Sequence, residues 1–312
     1  MKFSVVIPLY NKEYYIEKTL NSVLNQTFQD YEIIVVDDGS TDRSFENAKK
    51  VQSEKIRVIT QANQGVSVAR NTGIYNAAGT YIAFLDADDE WRENYLETID
   101  YLTQKYPVSD IFVTAYAVYM GDGKINYSNR LEPEEGCLDS YWLTLAKGYD
   151  FVWTSATTIR RQALLDVGCF TPGEKIGQDL DMWARVARNN PKVAYSSKVC
   201  VNYNRVAEAN ARNRVRIAWA GAFIKILEEE LENSDRTEEE KRSIQRKYDK
   251  KMTVYIFTSI MAGDKARANA ALKRWKGEKN LFNRILRIGL WIAKLMPSGL
   301  NHSLYKLRLK IF

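Results

Sequence analysis

Four residues, Asp86-Ala87-Asp88-Asp89, follow directly on the apolar run Tyr81-Ile82-Ala83-Phe84-Leu85. Two carboxylates at the end of a buried strand offer hard oxygen donors to a divalent cation and leave its other positions to phosphate and water, as Mg²⁺ or Mn²⁺ prefers. Taken alone, the tetrad is equally suited to capping a helix, so its company matters. That company is Asp37-Asp38-Gly39-Ser40 after another apolar run, then Asn63-Gln64-Gly65 leading into Ala69-Arg70-Asn71-Thr72-Gly73. Further on stands Gly177-Gln178-Asp179-Leu180-Asp181-Met182-Trp183. His302 is the one histidine and lies far from all of these, which leaves carboxylates as the candidate proton acceptors.

The elements that must position these residues are readable from periodicity. Over the first hundred residues short β-branched runs alternate with helical stretches, the pattern of βαβ units and a mostly parallel sheet. Val5-Val6-Ile7, residues 32–36, 56–60 and 81–85 read as strands. Residues 13–26, with Ile16, Leu20, Val23 and Leu24 on one face, and residues 66–77 read as helices. Open α/β sheets bind ligands beyond the carboxyl ends of their strands. Pro8-Leu9-Tyr10-Asn11, Asp37-Asp38 and the Asp86 tetrad all fall there. Residues 107–205 are less regular, with strand-like 111–113 and 156–159 and a helix near 179–189. A helical C-terminal part follows, broken near 233–235 and 296–299.

The ordered series Ile7-Pro8-Leu9-Tyr10-Asn11, Asp37-Asp38-Gly39-Ser40, Asn63-Gln64-Gly65, Ala69-Arg70-Asn71-Thr72-Gly73 and Asp86-Ala87-Asp88-Asp89 resembles the family 2 glycosyltransferases of the GT-A fold, over about residues 1–205. The resemblance implies an α/β, Rossmann-like catalytic domain over 1–210, with a nucleotide-binding half at 1–105 and an acceptor half at 106–210. A basic helical region at 211–312 follows. It implies an inverting transfer of sugar from a nucleotide-diphosphate sugar, UDP-linked by preference, to a saccharide or lipid-linked acceptor hydroxyl in surface polysaccharide or glycolipid synthesis. Pro8, Tyr10, Asn11, Asp37, Asp38 and Arg70 stand where the family contacts the nucleotide. Asp88 and Asp86 match its DxD, with Asp88 the direct ligand of Mn²⁺ or Mg²⁺ and Asp86 turned toward ribose or metal waters. Asp179 matches the catalytic base, and Gln178 departs from the glutamate that many members carry there. Tyr203-Asn204-Arg205 matches a tyrosine-arginine pair, and Trp153 and Trp183 are candidates for an acceptor pocket or for core.

Composition narrows the classes. With 45% hydrophobic and 12% aromatic residues the chain of 312 is a globular protein. Three scattered cysteines, Cys137, Cys169 and Cys200, fit neither a zinc site nor a disulfide framework and suit a reducing, cytoplasmic setting. The net charge of +6 hides an asymmetry, since residues 240–312 carry 18 Lys and Arg against 4 Asp and Glu. Between 283 and 296, Arg284, Arg287 and Lys294 oppose Ile285, Ile288, Ile292 and Leu295 on a helical wheel. Such a helix is too short and charged to span a bilayer and suits an anionic membrane surface at the inner face, or packing on the catalytic domain. Nothing resembles a nucleic-acid-binding module, and oligomeric state is not legible. Two other functions fit some features. Gln178 suits an inactive sugar-nucleotide-binding scaffold, and the acidic α/β site suits a sugar nucleotidyltransferase, although the glycine-rich phosphate loop of the latter is missing after the first strand.

Overall fold

The chain opens on an apolar strand, β1 (Phe3–Leu9), buried on both faces as a strand sandwiched between helices must be. The computed structural model describes residues 1–120, 123–128, 131–146, 151–205 and 221–275, together with Ile288, Trp291 and Leu295. It divides into two compact units, Met1–Asn210 and Ala211–Phe312.

In the first unit β1 pairs in parallel with β2 (Tyr31–Asp37), Leu9 level with Asp37. On its other side it pairs with β4 (Tyr81–Phe84), Val6 level with Phe84, while β3 (Ile56–Thr60) continues the sheet beyond β2. Because these strands run the same way, residues 10–12, 37–38 and 86–89 emerge along one edge. The sheet is completed by β5 (Glu90–Trp91), β6 (Ile111–Tyr119), β7 (Ile125–Tyr127), β8 (Glu135–Leu138), β9 (Thr157–Arg160) and β10 (Val193–Asn204), in the order β3-β2-β1-β4-β9-β6-β10-β5. The strands β1, β2, β3, β4, β6 and β10 run one way, β7 beside β6 and β5 and β8 beside β10 run against them, and one further antiparallel strand is an insertion that periodicity does not reveal: β9 between β4 and β6. Its start therefore lies at the same edge as the ends of β1, β2 and β4.

Helix α1 (Ile16–Leu24) buries Ile16, Leu20 and Val23 against the sheet. It starts three residues later than its apolar pattern suggests. Asn11 is left-handed (φ 52°), and the N–H groups of Lys12 and Glu13 are taken by Ser44 Oγ and Asp42 Oδ2 of the neighbouring loop, which holds 11–15 out of the helix. After α2 (Ser44–Lys50), α3 (Val66–Asn76) lies close on β1. A Cβ at Gly73 would stand 2.4 Å from Val6 Cγ1, so this approach requires glycine. Helices α4 (Tyr95–Lys105), α5 (Tyr141–Thr144), α6 (Arg161–Asp166) and α7 (Gln178–Asn189) flank the rest. Trp183 is core, within 5.8 Å of Phe84 and Phe170 ring centroids. Trp153 packs beside Tyr203 and Tyr116. The three cysteines are free thiols.

The second unit contains α8 (Gly221–Glu232), α9 (Glu238–Met261) and α10 (Lys265–Arg274). The expected break at 233–235 is a turn, closed by a capping box in which Thr237 and Glu240 satisfy each other's backbone N–H groups. Phe223, Leu227, Ile244, Tyr248, Met252 and Ile256 form the apolar interior. The basic stretch 283–312, including Arg284, Arg287, Lys294 and His302, lies outside the described residues except for Ile288, Trp291 and Leu295, which are helical and exposed. Among the described residues no helix is long and apolar enough to cross a membrane.

Candidate active site

The site is built from loops stapled to one another by side chain to backbone bonds. Asn11 Oδ1 accepts from the Thr41 N–H at 2.8 Å, and Asn11 N–H donates to Ser40 Oγ at 3.2 Å, joining the ends of β1 and β2. Tyr10 stays 37% exposed above this junction. Asp38 is buried, and both its oxygens are engaged. Oδ1 accepts from Gln61 Nε2 (2.7 Å) and the Gln64 N–H (2.9 Å), and Oδ2 from the Gly65 N–H (2.8 Å), fixing the start of α3. Asp37, one residue earlier, receives a single bond from the Ser40 N–H at 3.3 Å. Asn71 makes a two-way clamp with the backbone of Phe170, 2.8 Å in each direction, and so is a tertiary tie.

The loop after β4 holds three acids in three environments. Asp86 is paired with Arg70, Nη2 to Oδ1 2.7 Å, and the Arg70 guanidinium stacks over Phe170 at 5.2 Å. Its Nε and Nη1 are buried without a hydrogen-bond partner. Asp88 is paired with the Lys12 ammonium. Burial pushes the Asp88 carboxyl up, Lys12 draws it back down, and the charge on Asp86 raises it again. Asp89 is buried and accepts from Ser155 Oγ (2.5 Å) and from the Asn204 N–H (3.0 Å). Burial holds its carboxyl well above the ordinary carboxylate value, with Asp88 and Asp86 adding to the effect. Asp89 is thereby a tie between the loop, β10 and the turn at 154–156. From beneath, Thr19 Oγ of α1 reaches Ala87 O (3.1 Å) and Asp89 O (2.8 Å).

That turn, Thr154–Ala156, connects the acidic loop to the far side of the site. Ser155 Oγ accepts from the Asp86 N–H at 3.2 Å, and Ser155 O accepts from Trp91 Nε1 at 2.7 Å. The preceding residue, Thr154, donates from Oγ to Asp179 Oδ2 at 3.4 Å. Asp179 sits half-buried in the first turn of α7, next to the left-handed Gly177 (φ 74°). Asp181, two residues on, is buried and held by Arg185 (Nη2 2.7 Å, Nε 3.1 Å) and Thr171 Oγ (2.8 Å). Arg205 reaches Met120 Sδ (3.5 Å) rather than the acidic loop.

The family model described as Glycosyl transferase family 2 matches residues 4–168, more than half of the chain. The chain belongs to glycosyltransferase family 2. Within it, 171 residues are 37% identical to the uncharacterized glycosyltransferase alr2836 of Nostoc sp., covering 53% of this chain and 52% of that protein. A stretch of 100 residues is 45% identical to glycosyltransferase GlyA of Streptococcus pneumoniae, covering 31% of this chain and 14% of GlyA. The chain thus spans about half the length, or less, of these curated relatives. Among solved structures, S. aureus TarS 1–349 in complex with UDP-GlcNAc aligns with a TM-score of 0.65 at 20% identity, over 93% of this chain and 79% of that one. The mannosyltransferase PcManGT from Pyrobaculum calidifontis, in complex with GDP-Man and Mn²⁺, aligns at 0.60 and 17% identity, over 99% and 86%. At these identities the likeness is one of fold, the GT-A type with a helical C-terminal region.

In this family 2 chain, Asp86 and Asp88 supply hard carboxylate oxygens, and Asp89 is occupied elsewhere. Among the described residues no group of three or more His, Cys, Asp or Glu side chains is arranged to hold a metal. Two carboxylates fit a cation that a diphosphate shares, and do not fit a cage made by the protein alone. Three residues of the site escaped sequence reasoning: Lys12, Thr154 and Ser155. For Lys12 a signal existed, since a lone lysine beside Tyr10-Asn11 faces a tetrad rich in negative charge. For Thr154 and Ser155 none did, because the turn reaches the acidic loop only through the antiparallel placement of β9.

Proposed function

We propose that the chain is an inverting glycosyltransferase that transfers a sugar from a nucleotide-diphosphate sugar, UDP-linked, to a hydroxyl of a saccharide or lipid-linked acceptor. The observation that carries the reading is the Thr154-Ser155 turn, whose adjacent residues bond the DxD loop at Asp86 and Asp89 and the carboxylate of Asp179. On this reading the cation and base sites share one framework. Pro8, Tyr10, Asn11 and Asp37 line the nucleotide end, with Arg70 holding Asp86. Asp38 contributes by fixing the loop at 61–65. Asp88 and Asp86 would hold Mn²⁺ or Mg²⁺. When bound, the cation neutralises charge that grows on the leaving nucleoside diphosphate. Asp179 accepts the acceptor hydroxyl proton as the new oxygen–carbon bond forms at the anomeric carbon and the bond to phosphate breaks. A single base on the face opposite the leaving group gives inversion, and general base help of this kind is worth about 10²–10⁴-fold.

The kinship with glycosyltransferases, the UDP-GlcNAc bound to TarS and the GDP-Man with Mn²⁺ bound to PcManGT support the donor class. The test is calorimetry of UDP, GDP and their sugars with Mn²⁺, with Mg²⁺ and with chelator. We expect one nucleotide to bind in a cation-dependent way, and Asp88→Ala to remove that dependence. No binding by any nucleotide would overturn the reading.

The basic stretch 283–312 is proposed to rest on an anionic, cytoplasmic membrane face. The exposed row Ile288, Trp291 and Leu295 supports this, since residues three and four apart share one helical face. Removal of 283–312 is expected to lower pelleting with anionic vesicles. Unchanged pelleting would refute the membrane contact without touching the transfer chemistry.

A further inference from the structure

Each carboxylate of the proposed cation pair already has a cation of the protein's own, and the two partners differ in how firmly they are held. Arg70 is buried on α3, stacked over Phe170, and its pairing with Asp86 leaves it little room to move. Lys12 hangs from the loop after β1 on a flexible four-carbon stem, its backbone N–H fixed to Ser44 Oγ at 2.6 Å. The side chains of Lys12 and Asp88 are only 12% and 11% exposed, so water screens their attraction weakly.

We propose that Lys12 is a built-in counter-cation of the DxD loop. In the free protein its ammonium fills the place beside Asp88 that a divalent cation requires, so that cation uptake waits for the nucleotide diphosphate. The inference rests on the reading of Asp88 as a cation ligand and extends it. With Arg70 and Lys12 in place, the formal charges of the four groups cancel. A bare Mn²⁺ therefore meets two carboxylates already paired with protein cations and has to displace an ammonium from a shielded one. A nucleoside diphosphate alters both conditions, because it adds negative charge to the site and oxygen ligands to the cation. Nucleotide and cation then bind with positive coupling, each raising the affinity of the other. The arrangement also keeps two neighbouring carboxylates from facing each other unpaired, which explains why they tolerate so enclosed a loop.

The test is direct Mn²⁺ binding, read by electron paramagnetic resonance on the full chain without nucleotide and then with saturating UDP. Lys12→Met is expected to bind Mn²⁺ about tenfold more tightly than the native protein in the absence of UDP, or ~1.4 kcal/mol. Lys12→Arg, which keeps the charge, is expected to stay weak. In the native protein UDP is expected to raise the amount of protein-bound Mn²⁺ sharply, and this arm stands even if Lys12→Met does not fold. Equal Mn²⁺ affinity of native and Lys12→Met protein without UDP, with both binding Mn²⁺ when UDP is present, overturns the role of Lys12 and leaves the donor site intact. Tight Mn²⁺ binding by the native protein alone overturns it too. Failure of both proteins to bind Mn²⁺ under either condition removes the cation reading of Asp88 along with it.

Discussion

Two acidic corners of the site, one at the end of β2 and one at the start of α7, are built alike. Each has a pair of aspartates close in sequence. In each, one member is buried and accepts three hydrogen bonds, while the other, buried at Asp37 and half-buried at Asp179, accepts fewer. Asp38 accepts three donors of the 61–65 loop on its two oxygens, and Asp181 accepts three from Arg185 and Thr171 on Oδ2 alone. Their neighbours Asp37 and Asp179 each take long bonds, 3.3 Å from Ser40 and 3.4 Å from Thr154, and Asp179 adds a local one from its own helix. Residue type cannot separate these roles. What separates them is how many hydrogen bonds tie each carboxylate to the rest of the fold. An aspartate held by three bonds ties the framework together, and its neighbour with fewer is the one proposed to meet a ligand or a proton.

The widest contrast is expected at the α7 corner. Asp179→Asn removes the proposed proton acceptor with almost no change of shape. Transfer should fall by about 10²–10⁴-fold, with nucleotide binding and thermal stability retained. Asp181→Ala should do the reverse. It leaves Arg185 without its buried partner and should cost roughly 3 kcal/mol of stability, while the rate per folded molecule stays within a few-fold. Denaturant melts and initial rates on both variants decide the matter. Full transfer by Asp179→Asn would sink the assignment of the base.

At the β2 corner the same comparison predicts a smaller split. Asp38→Asn turns an amide N–H₂ toward the Gly65 N–H or the Gln64 N–H, so a buried donor loses its acceptor and stability should drop by about 1–3 kcal/mol. Asp37→Asn keeps an amide oxygen to accept the one long bond from Ser40 and should cost less than about 1 kcal/mol of stability, while weakening nucleotide binding several-fold in calorimetry. If both variants lose stability equally, Asp37 is framework as well, and the nucleotide contact has to be sought elsewhere.

How much of this could be read from the sequence follows from how far apart the partners lie. The parallel strands β1 to β4 and their helices were legible because local periodicity carries them, as in the stripe Ile16, Leu20 and Val23. The acidic loop was legible because a strand end announces itself by the switch from Phe84-Leu85 to Asp86. Roles within the loop were not. Asp88 meets Lys12 across 76 residues and Asn71 meets Phe170 across 99, and no local pattern encodes such pairings. The insertion of β9 between β4 and β6 is of the same kind. A four-residue strand carries too little alternation to reveal its neighbours, yet its placement is what delivers Thr154 and Ser155 to the site.

The smallest effect tests whether that delivery matters for the reaction. Thr154 is buried, and its hydroxyl donates to Asp179 Oδ2 over a long 3.4 Å. Replacing it by valine keeps the branched shape and removes the donor, so packing should be nearly undisturbed. A single hydrogen bond is worth about 1 kcal/mol net, which corresponds to roughly a five-fold fall in kcat. KM for the donor should not move, because the role proposed for Asp179 lies on the acceptor side of the reaction. Thr154→Ser restores the hydroxyl and should restore kcat, although it leaves a methyl-sized gap. The pair of variants separates orientation from packing. If valine keeps the native kcat, or if serine fails to recover it, Asp179 is positioned by its helix alone and the turn at 154–156 ties only the acidic loop.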